Sequence, residues 1–278
     1  MKKIIGSNDG EIKSISEAMK LVSANDIDTT IFIKAGVYRE KIDIVKPNIR
    51  LVGEDKENTI ITFDDYAYKL STNHEKLGTF RSYTVCIIGE NFYGENLTFE
   101  NSAGSGDTVG QAVAVFTNAD KIHFKNCIFK AQQDTLCLGP LPNDCIGTTP
   151  LNIEKEDSKI FRNYFEKCYI EGDIDFIFGG ATAVFRKCEI KSLDRGKKVN
   201  GYCTAASTHE NNPYGFIFIE CNFTSDTKNP SFYLARPWRQ FSKTVFINCS
   251  IDEHIFPELY SKWKESDTDM KCFYADYN

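Results

Sequence analysis

Four short segments of the sequence hold the residue types that could do chemistry, and two of them contribute aspartates at matching positions. Asp134 follows Cys127 by seven residues, and Asp175 follows Cys168 by seven as well. Because the phrase around each cysteine recurs along the chain, an equal distance from it predicts equal places in stacked repeats. Such residues lie roughly 5 Å apart, so we expect the two carboxyl groups to face each other. The segments are 111–116, 132–136, 172–179 and 233–239.

Two carboxyl groups held this close cannot both ionise easily, so their pKa values separate. One can keep its proton and act as an acid, while the other remains an anionic nucleophile or base. Arg236 could anchor the anionic member, and its neighbour Trp238 could stack on the face of a sugar. Gln111 and Gln133 offer neutral amide donors that suit an oxyanion.

The same residues also have an ordinary structural interpretation, in which the aspartates cap turns and Arg236 makes a surface ion pair. That interpretation is the better one for a lone aspartate. It does not account for two aspartates, two glutamines and an arginine that fall into one repeat register. The set as a whole therefore favours a catalytic site.

The elements that must position these residues belong to a repeat in which Phe is followed three residues later by Cys. The copies with cysteine are 124–129, 165–170, 185–190, 218–223 and 246–251, and 93–99 is a related copy without it. Their cysteines are 41, 20, 33 and 28 residues apart, which is typical of a solenoid with loops of varying length. Alternating apolar and polar residues within the copies indicate strands rather than helices.

One coil of such strands cannot bury its apolar face alone, so successive coils must stack and align like residues in ladders. A β-sandwich, the rival fold, would join paired strands with hairpin signals such as Asn-Gly, and these repeats are not joined in that way. The sequence therefore predicts an all-β fold, a right-handed parallel β-helix, as a single domain over residues 1–278.

One helix is predicted near the start of the chain, over residues 14–23. Ile15, Met19 and Val22 fall on one helical face, and Ser14 is a suitable N-cap. We expect this helix to cap the open first coil, whose unpaired backbone would otherwise invite aggregation.

Composition and charge exclude several classes of protein. The net charge of −6 disfavours a nucleic-acid groove or an anionic membrane surface as a partner. The sequence as written has neither an apolar export signal nor an apolar run of membrane-spanning length. We therefore expect a cytoplasmic protein, or a secreted one if an export signal precedes this sequence. We also expect a monomer.

The ten cysteines and four histidines do not form a metal-binding pattern. The closest two cysteines, Cys137 and Cys145, are eight residues apart, so CxxC pairs and zinc-ribbon spacing are excluded. The repeat position of five of them predicts small buried thiols that form an inward ladder. We expect no metal and no organic cofactor.

At this point the sequence resembles the pectin methylesterase family, also called pectinesterases, over about residues 9–277. Beyond the four segments, residues 36–40, 97–104 and 244–247 also look like family motifs, in the family's order. The resemblance implies hydrolysis of methyl esters on galacturonate units of homogalacturonan or oligogalacturonides.

The resemblance also implies a role for each candidate residue. Asp175 would attack the ester carbonyl, while Asp134 would protonate the departing methanol and then activate water. The supporting roles would be oxyanion stabilisation by Gln111 and Gln133, anchoring of Asp175 by Arg236, and packing on the sugar by Trp238 and Phe178.

Several positions depart from the family pattern. Cys137 stands where an aromatic residue is usual, Ala235 replaces a glycine, and Asp173 replaces Thr or Ser two residues before the nucleophile. Residues two apart in a strand share a face, so we expect Asp173 to add a third carboxylate near Asp175.

The stretch between the two aspartates is longer than two adjacent coils need, and the excess lies within residues 139–159. Its prolines and glycines predict a loop that leaves the solenoid and partly roofs one end of the groove. We expect its carboxylates to disfavour sugars that have already lost their methyl ester, and short oligomers to be the substrate.

Three other functions fit a β-helix of this kind. A polygalacturonase also pairs carboxylates, but it would not explain the glutamine pair or the segment that contains Arg236 and Trp238. A pectate lyase needs calcium and a basic groove, which the acidic charge disfavours. A non-catalytic carbohydrate-binding β-helix would have no need of the two aspartates, two glutamines and the arginine together.

Overall fold

The computed structural model describes residues 2–5, 12–23, 28–264, 266 and 269–277. Short strands and tight turns account for most of this part of the chain. In chain order, the strands are β1 (Lys2–Ile5), β2 (Thr29–Ile33), β3 (Gly36–Arg39), β4 (Ile42–Ile44), β5 (Ile49–Gly53), β6 (Thr59–Phe63), β7 (Val85–Ile87), β8 (Phe92–Glu95), β9 (Thr98–Asn101), β10 (Val115–Thr117), β11 (Ile122–Lys125), β12 (Ile128–Lys130), β13 (Leu136–Leu138), β14 (Arg162–Glu166), β15 (Tyr169–Gly172), β16 (Ile174–Gly179), β17 (Thr182–Arg186), β18 (Glu189–Ser192), β19 (Gly201–Ala206), β20 (Phe216–Ile219), β21 (Asn222–Ser225), β22 (Phe232–Ala235), β23 (Lys243–Ile247), β24 (Ser250–Ile251) and β25 (Phe273–Tyr277). The α-helices are α1 (Ile15–Lys20) and α2 (Gly106–Val109), and the 3₁₀ helices are Thr79–Arg81 and Pro150–Asn152.

The strands form three parallel sheets, and each complete coil of the chain contributes one strand to each sheet. The first sheet has the order β1-β2-β5-β8-β11-β14-β17-β20-β23-β25, and the second has the order β24-β21-β18-β15-β12-β9-β6-β3. The third sheet has the order β22-β19-β16-β13-β10-β7-β4. From β2 onward each strand pairs with strands one coil away rather than with its chain neighbour, apart from the pairing of β1 with β2. This is a right-handed parallel β-helix. The predicted fold is confirmed.

The corner between the first and second sheets explains the repeated phrase in the sequence. The residue immediately before each repeat cysteine has a positive φ of 50–55°, which turns the chain sharply after a strand of the first sheet. These residues are Asn126, Lys167, Lys187, Glu220 and Asn248. Asparagine tolerates this left-handed conformation well, whereas lysine and glutamate adopt it at a cost. The stacked coils on either side hold them there.

Two ladders of identical residues fill the interior behind this corner. The first residues of the phrase stack as parallel rings, with centroids 4.5–5.3 Å apart, along Phe124, Phe165, Phe185, Phe218 and Phe246. The cysteines form the second ladder, and each thiol from the second copy onward donates to the carbonyl of the Phe one coil earlier. All five cysteines are buried free thiols, as the repeat position predicted.

Helix α1 caps the N-terminal end and is shorter than predicted. Ser14 accepts a hydrogen bond from the N–H of Glu17 as its N-cap. The Glu40 carboxylate accepts the N–H groups of Ile15 and Ser16, both at 2.9 Å. A carboxylate at this end also complements the helix dipole. The helix packs on β4 and β1, which confirms the predicted capping helix.

The stretch between β13 and β14 leaves the solenoid, as its composition predicted. Residues 139–161, all of which the structure describes, contain the 3₁₀ helix Pro150–Asn152 and no strand. In the described parts of the chain, no helix has the length and apolar character needed to cross a membrane.

Candidate active site

The register of the third sheet brings Asp134 and Asp175 together. Leu136 of β13 pairs with Ile177 of β16, and the same 41-residue offset separates the two aspartates. The backbone N–H of Asp134 donates to the carbonyl of Ile174 at 3.0 Å, so the inter-coil ladder continues to this point. The extra residues of the sequence leave after β13, and therefore the aspartates lie on adjacent coils despite their separation.

Both aspartates adopt an unusual backbone conformation. Asp134 has φ 67° and Asp175 has φ 50°, and each is only 7% exposed. The left-handed region costs a non-glycine residue on the order of 1–3 kcal/mol and is concentrated at functional sites. The pairing of β16 with β19 also shifts register between Ile174 and Ile177, as a β-bulge does. These distortions turn both carboxyl groups out of the ladder and into a cleft.

Arg236 binds the carboxylate of Asp175 through two parallel hydrogen bonds. Its Nε lies 2.7 Å from Oδ1 and its Nη2 lies 2.6 Å from Oδ2. The guanidinium is sandwiched between two aromatic rings, 3.8 Å from the centroid of Tyr202 and 4.3 Å from that of Trp263. Cation–π contacts of this kind fix the orientation of the arginine as well as its charge.

Burial and charge act differently on the two carboxyl groups. Desolvation raises the pKa of Asp134 well above its usual value; the neighbouring Asp175 raises it further, and Arg236 opposes the rise. Desolvation also raises the pKa of Asp175, but there Arg236 opposes it through both hydrogen bonds and charge. The pair therefore ionises first at Asp175, and Asp134 keeps its proton longer.

The remaining predicted residues line the same cleft, whose volume is about 690 Å³. The side chains of Gln111 and Gln133 lie on it, next to the aspartates. Phe178 and Trp238 form an apolar wall, with ring centroids 5.6 Å apart in an edge-to-face arrangement. The volume is in the range typical of small-molecule sites. All seven predicted site residues are thus brought together.

Close backbone contacts explain the glycine that ends the segment at residues 172–179. A Cβ on Gly179, where φ is 124°, would stand 2.1 Å from the carbonyl oxygen of Leu138. Glycine alone allows β13 and β16 to approach this closely just behind Phe178. In the same sheet Phe178 pairs with Cys137, a buried thiol beneath the cleft at the position where an aromatic residue was expected.

Asp173 does not simply add a third carboxylate to the pair. Its side chain is 1% exposed, Oδ1 accepts the N–H of Ile174 at 2.5 Å, and Oδ2 lies 3.6 Å from Nε of Arg195. Desolvation raises the pKa of Asp173 to about 6, with Arg195 opposing the rise and Asp175 contributing less than the other causes. Because the bulge interrupts regular strand alternation, residues two apart do not share a face here. Asp173 faces Arg195, which also pairs with Asp107.

Sequence reasoning missed two residues of the site, Tyr202 and Trp263. Tyr202 lies on β19 and pairs in register with Tyr233 of β22, one coil before Arg236. This pairing follows from the repeat, so the sequence could have predicted that the ring of Tyr202 lies against Arg236. Trp263 comes from the segment after the last repeat copy, where no register connects it to the site.

The long loop contributes to the cleft, but most of its carboxylates do not. Asp144, Cys145 and Ile146 line the cleft. Glu156 pairs with Lys159 at 2.6 Å, and Asp157 accepts from Asn143. The expected repulsion of de-esterified sugars by the carboxylates at 154–157 therefore has no support.

No group of three His, Cys, Asp or Glu side chains within the described ranges is arranged to hold a metal ion. The candidate site is thus built from a carboxyl pair, an arginine, two amides and an apolar wall.

Comparison with known proteins gives a consistent result. A family model described as Pectinesterase matches residues 3–139 and 157–278. The chain is 31% identical to Pectinesterase 31 of Arabidopsis thaliana, over 99% of this chain and 81% of that protein. It is 32% identical to Pectinesterase 2 of Citrus sinensis, over 96% of this chain and 48% of that protein. The chain also spans only 44% and 58% of two longer relatives from Arabidopsis thaliana.

Solved structures agree with the sequence relatives. A pectin methylesterase from carrot superposes with a TM-score of 0.81 at 30% identity, over 99% of this chain and 81% of that one. A pectin methylesterase in complex with a hexasaccharide superposes with a TM-score of 0.79 at 26% identity, over 98% of this chain and 92% of that one.

Proposed function

The chain belongs to the pectinesterase family, and from that membership we propose that it hydrolyses methyl esters on galacturonate units of pectin and its oligomers. One observation carries the proposal. A carboxylate held by Arg236 at 2.6–2.7 Å stands on the coil next to a buried carboxyl group whose pKa is raised. This asymmetric pair suits a reaction that needs an anionic nucleophile and a proton donor together.

In the first step, an oxygen of Asp175 attacks the ester carbonyl and forms a tetrahedral intermediate. The amides of Gln111 and Gln133 donate to the oxyanion. Asp134 then gives its proton to the methoxy oxygen, so that methanol leaves and an acyl-enzyme anhydride remains. Amide donors of this kind are worth about a hundred- to a thousandfold in rate at other enzymes.

In the second step, Asp134 is an anion and can take a proton from water. The water oxygen attacks the acyl carbon, Asp175 departs as a carboxylate, and Asp134 is protonated again. The product is a galacturonate carboxyl group, and both aspartates return to their starting states. Arg236 stabilises the Asp175 carboxylate before attack and again as it leaves.

The substrate is proposed from the cleft and from the relatives. Trp238 and Phe178 present an apolar wall to the sugar ring, and a related pectin methylesterase was solved with a hexasaccharide. A methyl-esterified chain is locally neutral, so a protein with net charge −6 can accept it. We propose methyl-esterified homogalacturonan or oligogalacturonides as the substrate and a monomer as the active form.

One assay separates this proposal from its rivals. The protein is incubated with methylated pectin, and methanol, new reducing ends and unsaturated products are each measured. We expect methanol alone. New reducing ends would indicate a polygalacturonase, unsaturated ends a lyase, and binding without any product a carbohydrate-binding solenoid.

A further inference from the structure

The family model leaves residues 140–156 unmatched, and the structure fastens this inserted segment against the cleft. Leu141 is fully buried in an apolar cluster with Cys137 and Phe178. Farther along, Nζ of Lys155 donates to the carbonyl of Cys145 at 2.5 Å. Buried contacts at the base of the loop and this hydrogen bond across it hold the tip of the loop, residues 144–147, in one position.

Charges at the tip of the inserted segment neutralise each other. Nε of Arg239 donates to Oδ1 of Asp144 at 2.8 Å. The same guanidinium lies 4.9 Å from the ring centroid of Trp238 and donates to that residue's carbonyl. The tip is therefore joined to the sugar-facing wall, and the guanidinium of Arg239 is already paired with a carboxylate.

Ile146 is the apolar end of this tip. Its side chain is 96% exposed although it lines the cleft. The next residue, Gly147, lies against Phe80, since a Cβ there would be 3.7 Å from that ring. The rings of Phe80 and Trp238 have centroids 6.5 Å apart. Ile146 thus extends the apolar wall of the cleft toward solvent.

We propose that the inserted segment forms an additional sugar subsite, in which Ile146 contacts the methyl ester of a galacturonate unit next to the one being hydrolysed. This inference rests on the proposed function and deepens it. A methyl ester gains by covering an exposed isoleucine. A free carboxylate there loses hydration against the isoleucine, and of the two cations beside the tip Arg239 is paired with Asp144 and Lys155 donates to the carbonyl of Cys145. The enzyme therefore favours substrates with adjacent esters over those with isolated ones.

The test uses two methylated oligogalacturonides that differ at a single unit beside the scissile ester, which is esterified in one and a free acid in the other. The ratio of kcat/KM for methanol release is measured for the wild type, Ile146→Ala and Ile146→Lys. We expect Ile146→Ala to lower the preference for the esterified neighbour about three- to tenfold. Ile146→Lys should reverse it by pairing with the carboxylate.

Ile160→Lys is the matched control, because Ile160 is an exposed isoleucine near the same loop that does not line the cleft. It should keep the wild-type ratio. Asp144→Asn is a second probe, since freeing Arg239 should improve turnover of the free-acid oligomer. If Ile146→Ala and Ile146→Lys fold normally and retain the wild-type ratio, the subsite is wrong.

Equilibrium binding of the two oligomers to Asp175→Asn, with and without Ile146→Lys, separates this inference from the esterase proposal. A binding preference that Ile146→Lys reverses supports the subsite even if the wild type releases no methanol, an outcome that would overturn the esterase alone. A binding preference unaffected by Ile146→Lys contradicts the subsite whatever the turnover.

Discussion

Arg236 holds both oxygens of Asp175, with Nε 2.7 Å from Oδ1 and Nη2 2.6 Å from Oδ2. Asp134 stands one coil away at the same register position and is equally buried. The bidentate contact thus makes two otherwise similar carboxyl groups unequal. One is kept anionic by a fixed cation, and the other is left to keep its proton.

The first prediction concerns this pair. Asp175→Asn removes the proposed nucleophile, and Asp134→Asn removes the proton donor and acceptor. Each should lower methanol release by several orders of magnitude, because covalent and acid–base steps are both lost. Asp226→Asn, a surface change at the partner of Lys191, should retain full activity. A folded Asp175→Asn protein with more than a few per cent of wild-type activity would contradict the assignment.

The second prediction concerns Arg236→Lys. Lysine keeps a positive charge but loses the two parallel hydrogen bonds and the planar contact with Tyr202 and Trp263. The pKa of Asp175 should therefore rise, since the opposition of Arg236 to its desolvation is weakened. We expect the acidic limb of the kcat/KM profile to move to higher pH by about one unit. Arg186→Lys, on the outer surface, should leave the limb in place, and an unmoved limb in Arg236→Lys would show that the bidentate contact does not set this pKa.

The repeat is what made the fold and the aspartate pair predictable from the sequence. The position of a residue within its coil is set by its distance from the repeat cysteine. The seven-residue interval to Asp134 and to Asp175 therefore predicted that the two aspartates lie side by side on adjacent coils. The long loop did not disturb it, because a loop that leaves the solenoid returns the chain to the same register.

The features that could not be predicted depend on departures from that register. The bulge between Ile174 and Ile177 contains Asp175, whereas Asp173 precedes it and faces Arg195. Simple strand alternation placed the two aspartates side by side instead. Trp263 and Ile146 arrive from segments outside the repeat, and their place in the cleft depends on long-range contacts. The spacing of residues along the sequence does not predict those contacts.

The third prediction concerns thiol reactivity. Nine of the ten cysteines are buried and Cys272 is partly exposed. Burial raises the pKa of the Cys127 thiol to about 12, so little reactive thiolate forms there at neutral pH. We expect one thiol per chain to label quickly in the native protein and ten after denaturation. Cys272→Ser should remove the fast phase, and a fast phase that survives both this change and Cys145→Ser, at the thiol that lines the cleft, would contradict the burial of the remaining thiols.

The fourth prediction concerns the ring ladder. Phe185 is fully buried and stacks on Phe165 at 4.6 Å and on Phe218 at 4.5 Å. Phe185→Ala should lower the free energy of unfolding by about 3–5 kcal/mol, because it leaves a cavity between rigid neighbours. Phe273→Ala, at a half-exposed ring, should cost less than about 1 kcal/mol. Urea unfolding of the two variants measures the difference, and equal losses would contradict the stabilising role of the buried ring ladder.

The last prediction concerns Asp173 and the dependence of stability on pH. Its pKa in the folded protein is about 6, above the value of about 3.9 expected in an unfolded chain. The folded state therefore binds this proton more tightly than the unfolded chain does. The resulting contribution to the free energy of unfolding is complete below about pH 4 and is lost as the pH rises toward 6.

Asp173→Asn keeps an oxygen for the N–H of Ile174 and cannot ionise, so it removes this penalty. Relative to the wild type, the free energy of unfolding of the variant should rise by about 2–3 kcal/mol between pH 4 and pH 7. Asp173 also raises the pKa of Asp134, so the same comparison is repeated in the Asp134→Asn background, where that second titration is absent. Asp226→Asn, at an exposed carboxylate, is the matched control. A difference between Asp173→Asn and wild type that is the same at both pH values would mean that Arg195 already compensates the buried charge.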